Sequence, residues 1–148
     1  MDPKSALIIP CFIRTRWDLD CLNRLLDSAL AQRKQFDKVY VVDDASPLKY
    51  ELGRGFVEHI WLDKNGGPAR ARNVAINKAL QAGIEHLLFA DHDCILDKDW
   101  NQSMTAFLSG TEFAAVGGMT YSWGKTLLDY YHDINGTLSG KWLLPHRN

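Results

Sequence analysis

The sequence predicts an α/β fold: a three-layer α/β/α sandwich on a mostly parallel, Rossmann-like sheet. Short apolar runs alternate with helical patterns along most of the chain, which is the signature of strand–helix–strand crossovers. One run, Val39-Tyr40-Val41-Val42, is continuously apolar, as suits a strand buried on both faces. Polar clusters follow the apolar runs, where ligands bind in open α/β sheets. The 148 residues suit one domain, and 46% hydrophobic content supports a sizeable core.

Taken in order, Ala6-Leu7-Ile8-Ile9 is the first expected strand, ended by Pro10, which cannot donate to a sheet ladder. Leu19, Leu22, Leu25, Leu26, Ala29 and Leu30 recur at helical spacing, so residues 18–32 read as an amphipathic helix. The 39–42 run is the second strand, broken by Asp43-Asp44-Ala45-Ser46-Pro47. Residues 49–56 suggest a short helix and 58–62 a third strand. Asn65-Gly66-Gly67-Pro68 is turn chemistry, with Pro68 suited to a first helical position. A helix over 69–82 then ends at Gly83. Residues 86–90 form the fourth expected strand, Asp97 caps a helix through about Leu108, and 114–118 is a shorter fifth strand. Beyond Tyr121 the pattern loosens: 126–134 suits a helix and 136–148 is turn-rich.

Composition excludes several classes. With 17 basic and 18 acidic residues and no basic block, the chain lacks a nucleic-acid footprint. No apolar stretch approaches the roughly 20 residues of a membrane span. The start, Met1-Asp2-Pro3-Lys4, does not read as a signal peptide. Cys11, Cys21 and Cys94 are an odd number without zinc-ligand spacing. A reduced, cytoplasmic setting is expected, with peripheral attachment at the inner membrane face as a variant.

Several clusters carry chemistry. Asp91-His92-Asp93 follows the fourth apolar run and concentrates negative charge where a strand ends. Such charge is costly unless a cation shares it, which suggests a hard divalent ion, Mn²⁺ or Mg²⁺, and through it a phosphate. His92 is expected to point away, because alternate residues near a strand end oppose one another. Asp43-Asp44 suits hydrogen bonds to a base N–H or ribose hydroxyl, though taken alone it reads more readily as a turn that caps the following residues. Gly67-Pro68-Ala69-Arg70-Ala71-Arg72-Asn73 combines close backbone approach with a helix N-terminus and two guanidinium groups. Cations there oppose the helix dipole, so they are either solvated or offset by an anion, a bound diphosphate or Asp91 and Asp93. Arg14 and Arg16 are either solvated or beside the same site. Tyr130, Tyr131, His132 and Asp133 form a further titratable set.

In order, these residues resemble the family-2 glycosyltransferases of the A-type nucleotide-sugar fold. Leu7-Ile8-Ile9-Pro10-Cys11-Phe12-Ile13 is similar to the family's first strand, departing where many members have Tyr-Asn. Val41-Val42-Asp43-Asp44-Ala45-Ser46 resembles Val-Asp-Asp-x-Ser, and Gly67 to Asn73 resembles Gly-x-x-x-Ala-Arg-Asn. Phe89-Ala90-Asp91-His92-Asp93 matches the Asp-x-Asp metal motif, and Val116-Gly117-Gly118 is similar to the strand after it.

The resemblance implies a nucleotide-diphospho-sugar donor, UDP- or GDP-linked, and a divalent metal at Asp91 and Asp93. It implies donor contacts from Pro10, Phe12, Asp43, Asp44, Gly67, Arg70, Arg72, Asn73 and Asp91. Asp44 would meet the base and Asp43 the nucleoside. Residues 1–120 would be the nucleotide-sugar-binding core, and 121–148 a partial acceptor half of the same domain. The implied reaction transfers a sugar to a polysaccharide or lipid-linked acceptor, with inversion, in cell-surface polysaccharide biosynthesis. A catalytic base is not identified. After Glu112 there is no Glu, and the only later Asp residues are Asp129 and Asp133, which with His132 are the candidates. The alternative is a truncated or inactive nucleotide-sugar-binding module. A phosphatase using Asp-x-Asp as nucleophile would carry it after the first strand. A dinucleotide dehydrogenase would carry Gly-x-Gly-x-x-Gly there.

Overall fold

The computed structural model describes residues 3–122, 124 and 126–135; the side chain of Asp133 lies outside the described set, as does the expected turn-rich stretch 136–148. Two compact units divide the chain, Met1–Thr111 and Glu112–Asn148.

The first unit is the expected sandwich. Strands β1 (Ser5–Cys11), β2 (Lys38–Asp43), β3 (Val57–Trp61) and β4 (His86–Phe89) form one sheet in the order β3-β2-β1-β4. Every pairing is parallel: Ile8 aligns with Tyr40 and Phe89, and Val41 with His59. Period-2 geometry sorts the side chains onto two faces. Leu7, Ile9, Val39 and Val41 meet Leu19, Leu22, Leu25, Leu26 and Ala29 of α1 (Arg16–Leu30). Ala6, Ile8, Tyr40 and Val42 meet Ala71, Ala75 and Ala79 of α2 (Pro68–Gln81). Three alanines let α2 lie close to the sheet, which brings its N-terminus to the rim.

Helix α1 starts where a capping box forces it to. Thr15 Oγ1 accepts the Asp18 N–H at 3.2 Å, and Asp18 Oδ2 accepts the Thr15 N–H at 2.8 Å. Gly83, at φ +70°, follows the end of α2 as expected of a left-handed terminator. α3 (Trp100–Ser109) joins the α1 side, where Trp100 packs on the core. Asp97 does not cap it: Asp99 is the N-cap, and Asp97 Oδ1 accepts the Asp99 N–H in the preceding turn.

Three other expectations need correction. β1 does not stop at Pro10 but runs to Cys11. Pro10 is tolerated because β4 pairs only as far as Ile8, leaving the sheet open beside the missing N–H. Residues 49–56 are not helical. Leu48, Tyr50 and Leu52 pack on the α1-side core at a spacing of two, and Gly53 takes φ +57°. Residues 114–118 form no strand. Gly117 and Gly118 offer no side chain to pack, and nothing in the segment forms a ladder among the described residues.

In the second unit, α4 (Leu127–Asn135) matches the expected helix. Asp129 Oδ2 accepts the Thr126 N–H at 2.9 Å, and Thr126 Oγ1 accepts the Asp129 N–H at 3.2 Å, a second capping box.

The turn after β2 holds a residue at odds with its backbone. Ala45 has φ +61°, alone among described non-glycine residues in the left-handed region. Ala45→Gly removes the Cβ clash there and is expected to raise stability by roughly 0.5–1 kcal/mol, net of the added freedom of the unfolded chain. The midpoint of urea unfolding checks it.

Candidate active site

The carboxyl ends of β1, β2 and β4 and the N-terminus of α2 enclose a cleft of about 580 Å³. Its walls include Pro10, Phe12, Asp44, Gly67, Arg72, Asp91 and Asp93 from the expected set. Cys11, Asn65, Pro68 and His92 also line it. Asp43, Arg70 and Asn73 do not.

Two buried aspartates at the end of β2 have different tasks, and of the two Asp44 lines the cleft. Asp44, 3% exposed, accepts the Gly66 N–H at 2.9 Å and the Gly67 N–H at 2.6 Å, one on each carboxylate oxygen. Its own N–H donates to the Cys11 carbonyl, and its carbonyl accepts from Asn65 Nδ2. Gly67, at φ +84°, is the N-cap of α2 and has no side chain to cap with. Asp44 therefore supplies from β2 the negative charge that this helix start favours. The glycine turn, α2 and β1 are tied together at this one residue.

Asp43 is fully buried behind the cleft. Its Oδ1 accepts the Ser46 N–H and its Oδ2 the Tyr50 hydroxyl, both at 2.6 Å. Ser46 Oγ in turn accepts the Ile13 N–H at 2.6 Å, which fixes the segment carrying Phe12. Tyr50 also lies 3.3 Å from Cys11 Sγ and 3.4 Å from His59 Nε2. Burial, with the nearby Cys11 and the bond to Asp43, raises the Tyr50 pKa, so its hydroxyl stays a donor. Burial likewise pushes the Cys11 thiol up to about 12, against a lowering contribution from the Tyr50 bond. Cys11 is thus an inert thiol, not a nucleophile. Burial lowers the His59 pKa, which keeps the imidazole neutral.

Tyr50, His59 and Trp61 stack together, with ring centroids 4.4 to 5.4 Å apart. Sequence reasoning missed all three. A signal existed: Val57, His59 and Trp61 alternate on one face of β3, the face on which Leu48, Tyr50 and Leu52 pack.

The opposite wall carries the exposed charges. Arg72 Nη2 meets Asp91 Oδ1 at 2.6 Å, so one of the two offsets offered for the arginines is present. Arg70 instead turns to the Lys64 carbonyl and, at 3.6 Å, to Asp63. Asp93 is exposed and has no hydrogen bond or ion pair among the described residues. His92 lines the cleft beside Asp91 and Asp93. The strand has ended at Phe89, a turn bond from the Cys94 N–H to the Asp91 carbonyl follows, and strand alternation no longer applies.

No group of three or more His, Cys, Asp or Glu residues gathers to hold a metal among the described residues. Asp91 and Asp93 nevertheless fit a hard divalent ion. Such ions often take one or two carboxylates and complete their oxygen set from phosphate and water.

The candidate bases lie in the second unit. Both bonds of the cap reach Asp129, and the Thr126 hydroxyl and N–H hold its carboxyl below the ordinary range. That makes it a weaker proton acceptor. The His132 ring lies 5.7 Å from Tyr131, edge to face. Asp133 belongs to α4, but its side chain is outside the described set. No described helix is long and apolar enough to cross a membrane.

A parallel α/β sandwich with an acidic rim facing a glycine-rich helix start is the arrangement of an A-type glycosyltransferase domain, and solved structures agree. Residues 1–349 of TarS from S. aureus, in complex with UDP, superpose with a TM-score of 0.67 at 27% identity, covering 84% of this chain and 38% of that one. A second structure of TarS 1–349 gives 0.65 at 25% identity, over the same shares. Residues 6–147 match the glycosyl transferase family 2 model, and the chain belongs to that family. Uncharacterized glycosyltransferases of Rickettsia felis and Rickettsia conorii are each 27% identical over 116 residues, 76% of this chain. The chain spans 18% of the length of those relatives.

Proposed function

We propose that the cleft binds a nucleotide-diphospho-sugar, UDP-linked in preference to GDP-linked, and that the protein transfers the sugar to a saccharide or lipid-linked acceptor. The observation that carries this reading is the meeting of Asp44, the Gly66-Gly67 turn, Arg72, Asp91 and Asp93 around one cleft. Similarity to UDP-bound TarS supports the choice of uridine.

The chemistry follows from charge. Breaking the sugar–phosphate bond leaves negative charge on the diphosphate. Arg72 and the N-terminus of α2 would stabilise that charge electrostatically. Asp91 and Asp93 would hold Mn²⁺ or Mg²⁺, which supplies Lewis-acid stabilisation when bound. Phe12 and Pro10 would wall the nucleoside side. Inversion requires a base to deprotonate the acceptor hydroxyl, and we assign none: Asp129 is engaged in its helix cap.

A second reading, a donor-binding module without transfer, draws on that engagement. Hydrolysis or transfer of a UDP-sugar would decide between them.

Binding is tested by thermal unfolding with UDP or GDP, with and without Mn²⁺. At a ligand concentration a hundredfold above Kd, stabilisation is about 2.7 kcal/mol, a rise in Tm of roughly 5 °C or more. Asp93→Ala should remove the Mn²⁺-dependent part. The reading is wrong if wild-type protein shows no nucleotide shift, or if the Mn²⁺-dependent part survives the substitution.

A further inference from the structure

We propose that the Arg72–Asp91 ion pair is a lock on the cleft, opened by the diphosphate, which withholds Asp91 from a lone cation and so adds to the coupling between nucleotide and divalent cation. This rests on the nucleotide-sugar reading and goes beyond it by assigning the order in which the two charges become available.

The pair joins the first turns of α2 to the segment after β4, and both residues line the same cleft. Its members are the two groups that the donor complex needs apart: a cation for the diphosphate and an anion for the metal. In the free protein they satisfy each other at 2.6 Å. Asp93 alone remains unengaged, and one carboxylate holds a hard divalent ion weakly. A diphosphate offers the guanidinium a forked acceptor that competes directly with Asp91. Once Arg72 turns to phosphate, Asp91 is released to join Asp93.

The energetics suit a lock that opens. The Arg72 and Asp91 side chains are 33% and 62% exposed. Ion pairs this accessible are worth about 0–1 kcal/mol, so the exchange resists binding little while still withholding Asp91 from a lone cation. By linkage the coupling is reciprocal: the cation must favour nucleotide by the same factor.

Removing Arg72 therefore acts with opposite signs on the two ligands. Mn²⁺ binding to the full chain is read by electron paramagnetic resonance of the free ion, and UDP binding by calorimetry, neither needing turnover. In wild type, UDP should tighten Mn²⁺ about 3–5-fold more than it does in Arg72→Ala, the difference being what the pair withholds. Arg72→Ala should weaken UDP yet tighten Mn²⁺ alone by about 3–5-fold, as expected for freeing one carboxylate from an exposed pair. Arg70→Ala removes the same charge from the same helix but leaves the pair intact, so Mn²⁺ alone should stay within about twofold. If Arg72→Ala leaves Mn²⁺ affinity unchanged or weaker, or if Arg70→Ala matches it, there is no lock. Arg72→Gln carries the same expectation and replaces the alanine variant should that one not fold. Failure of wild type to bind UDP at all would instead remove the donor-site reading. Binding of UDP without the Arg72 effect would overturn the lock alone.

Discussion

Asp44→Ala is expected to lower unfolding stability by about 2–4 kcal/mol and to abolish nucleotide binding together with it. The carboxylate accepts two backbone N–H groups, one per oxygen, at a site 3% exposed. Truncation leaves both donors without an acceptor and removes the negative charge beside the start of α2. The glycine turn then loses its tie to β2, and with it the wall that carries Pro68 and Arg72. Asp44→Asn keeps the shape but can accept only one of the two N–H groups, its amide nitrogen facing the other. It should fold better than the alanine variant and still bind nucleotide poorly. Urea unfolding and calorimetric titration with UDP separate the two effects. Near-wild-type stability in both variants would show that the turn is held by other contacts.

The fold was legible in the sequence where burial is two-sided or strictly periodic. The 39–42 run and the leucines of α1 left one reading each, and both were right to within a few residues. Legibility failed where tertiary context decides. Pro10 argues against a strand by itself; only the shortness of β4 makes its missing N–H harmless. Residues 49–56 carry weak helical content, and the core selects the alternating Leu48, Tyr50, Leu52 pattern instead. The glycine-bearing 114–118 stretch has strand-like residues but no ladder in the described structure.

The cleft was legible in part for the same reason. Charged residues that follow strands must gather at one rim of a parallel sheet, so Asp44, Arg72, Asp91 and Asp93 could be placed together without coordinates. Even the internal partner of an arginine was foreseeable, since a cation at a helix start is offset by a nearby anion. The roles of adjacent residues were not. Asp43 and Asp44 look equivalent in sequence. β2 turns one to the buried interior and the other to the cleft, a distinction that depends on where the strand ends. Tyr50 was invisible because the segment that carries it has no regular structure. Its importance comes chiefly from the short bond it donates to Asp43.

That bond supports the last expectation. Tyr50→Phe should cost about 1–2 kcal/mol, and Asp43→Ala about 3 kcal/mol or more, because each leaves a buried polar partner unsatisfied. The two should not add. Once Asp43 is gone, the Tyr50 hydroxyl keeps only its longer contacts to Cys11 Sγ and His59 Nε2, and deleting it as well costs less than deleting it from the intact protein. The double variant should therefore be more stable than the sum of the singles by about 1–3 kcal/mol. The 2.6 Å separation and full burial of Asp43 are what place the pair at the strong end of that range. Binding gives a second reading of the same network. Asp43 reaches the cleft through Ser46 and the Ile13 N–H, so Tyr50→Phe should weaken UDP several-fold without changing the response to Mn²⁺. A coupling near zero would mean that Tyr50 merely packs on the core. A loss of the Mn²⁺ response would mean that the network reaches Asp91 and Asp93 rather than the nucleoside wall.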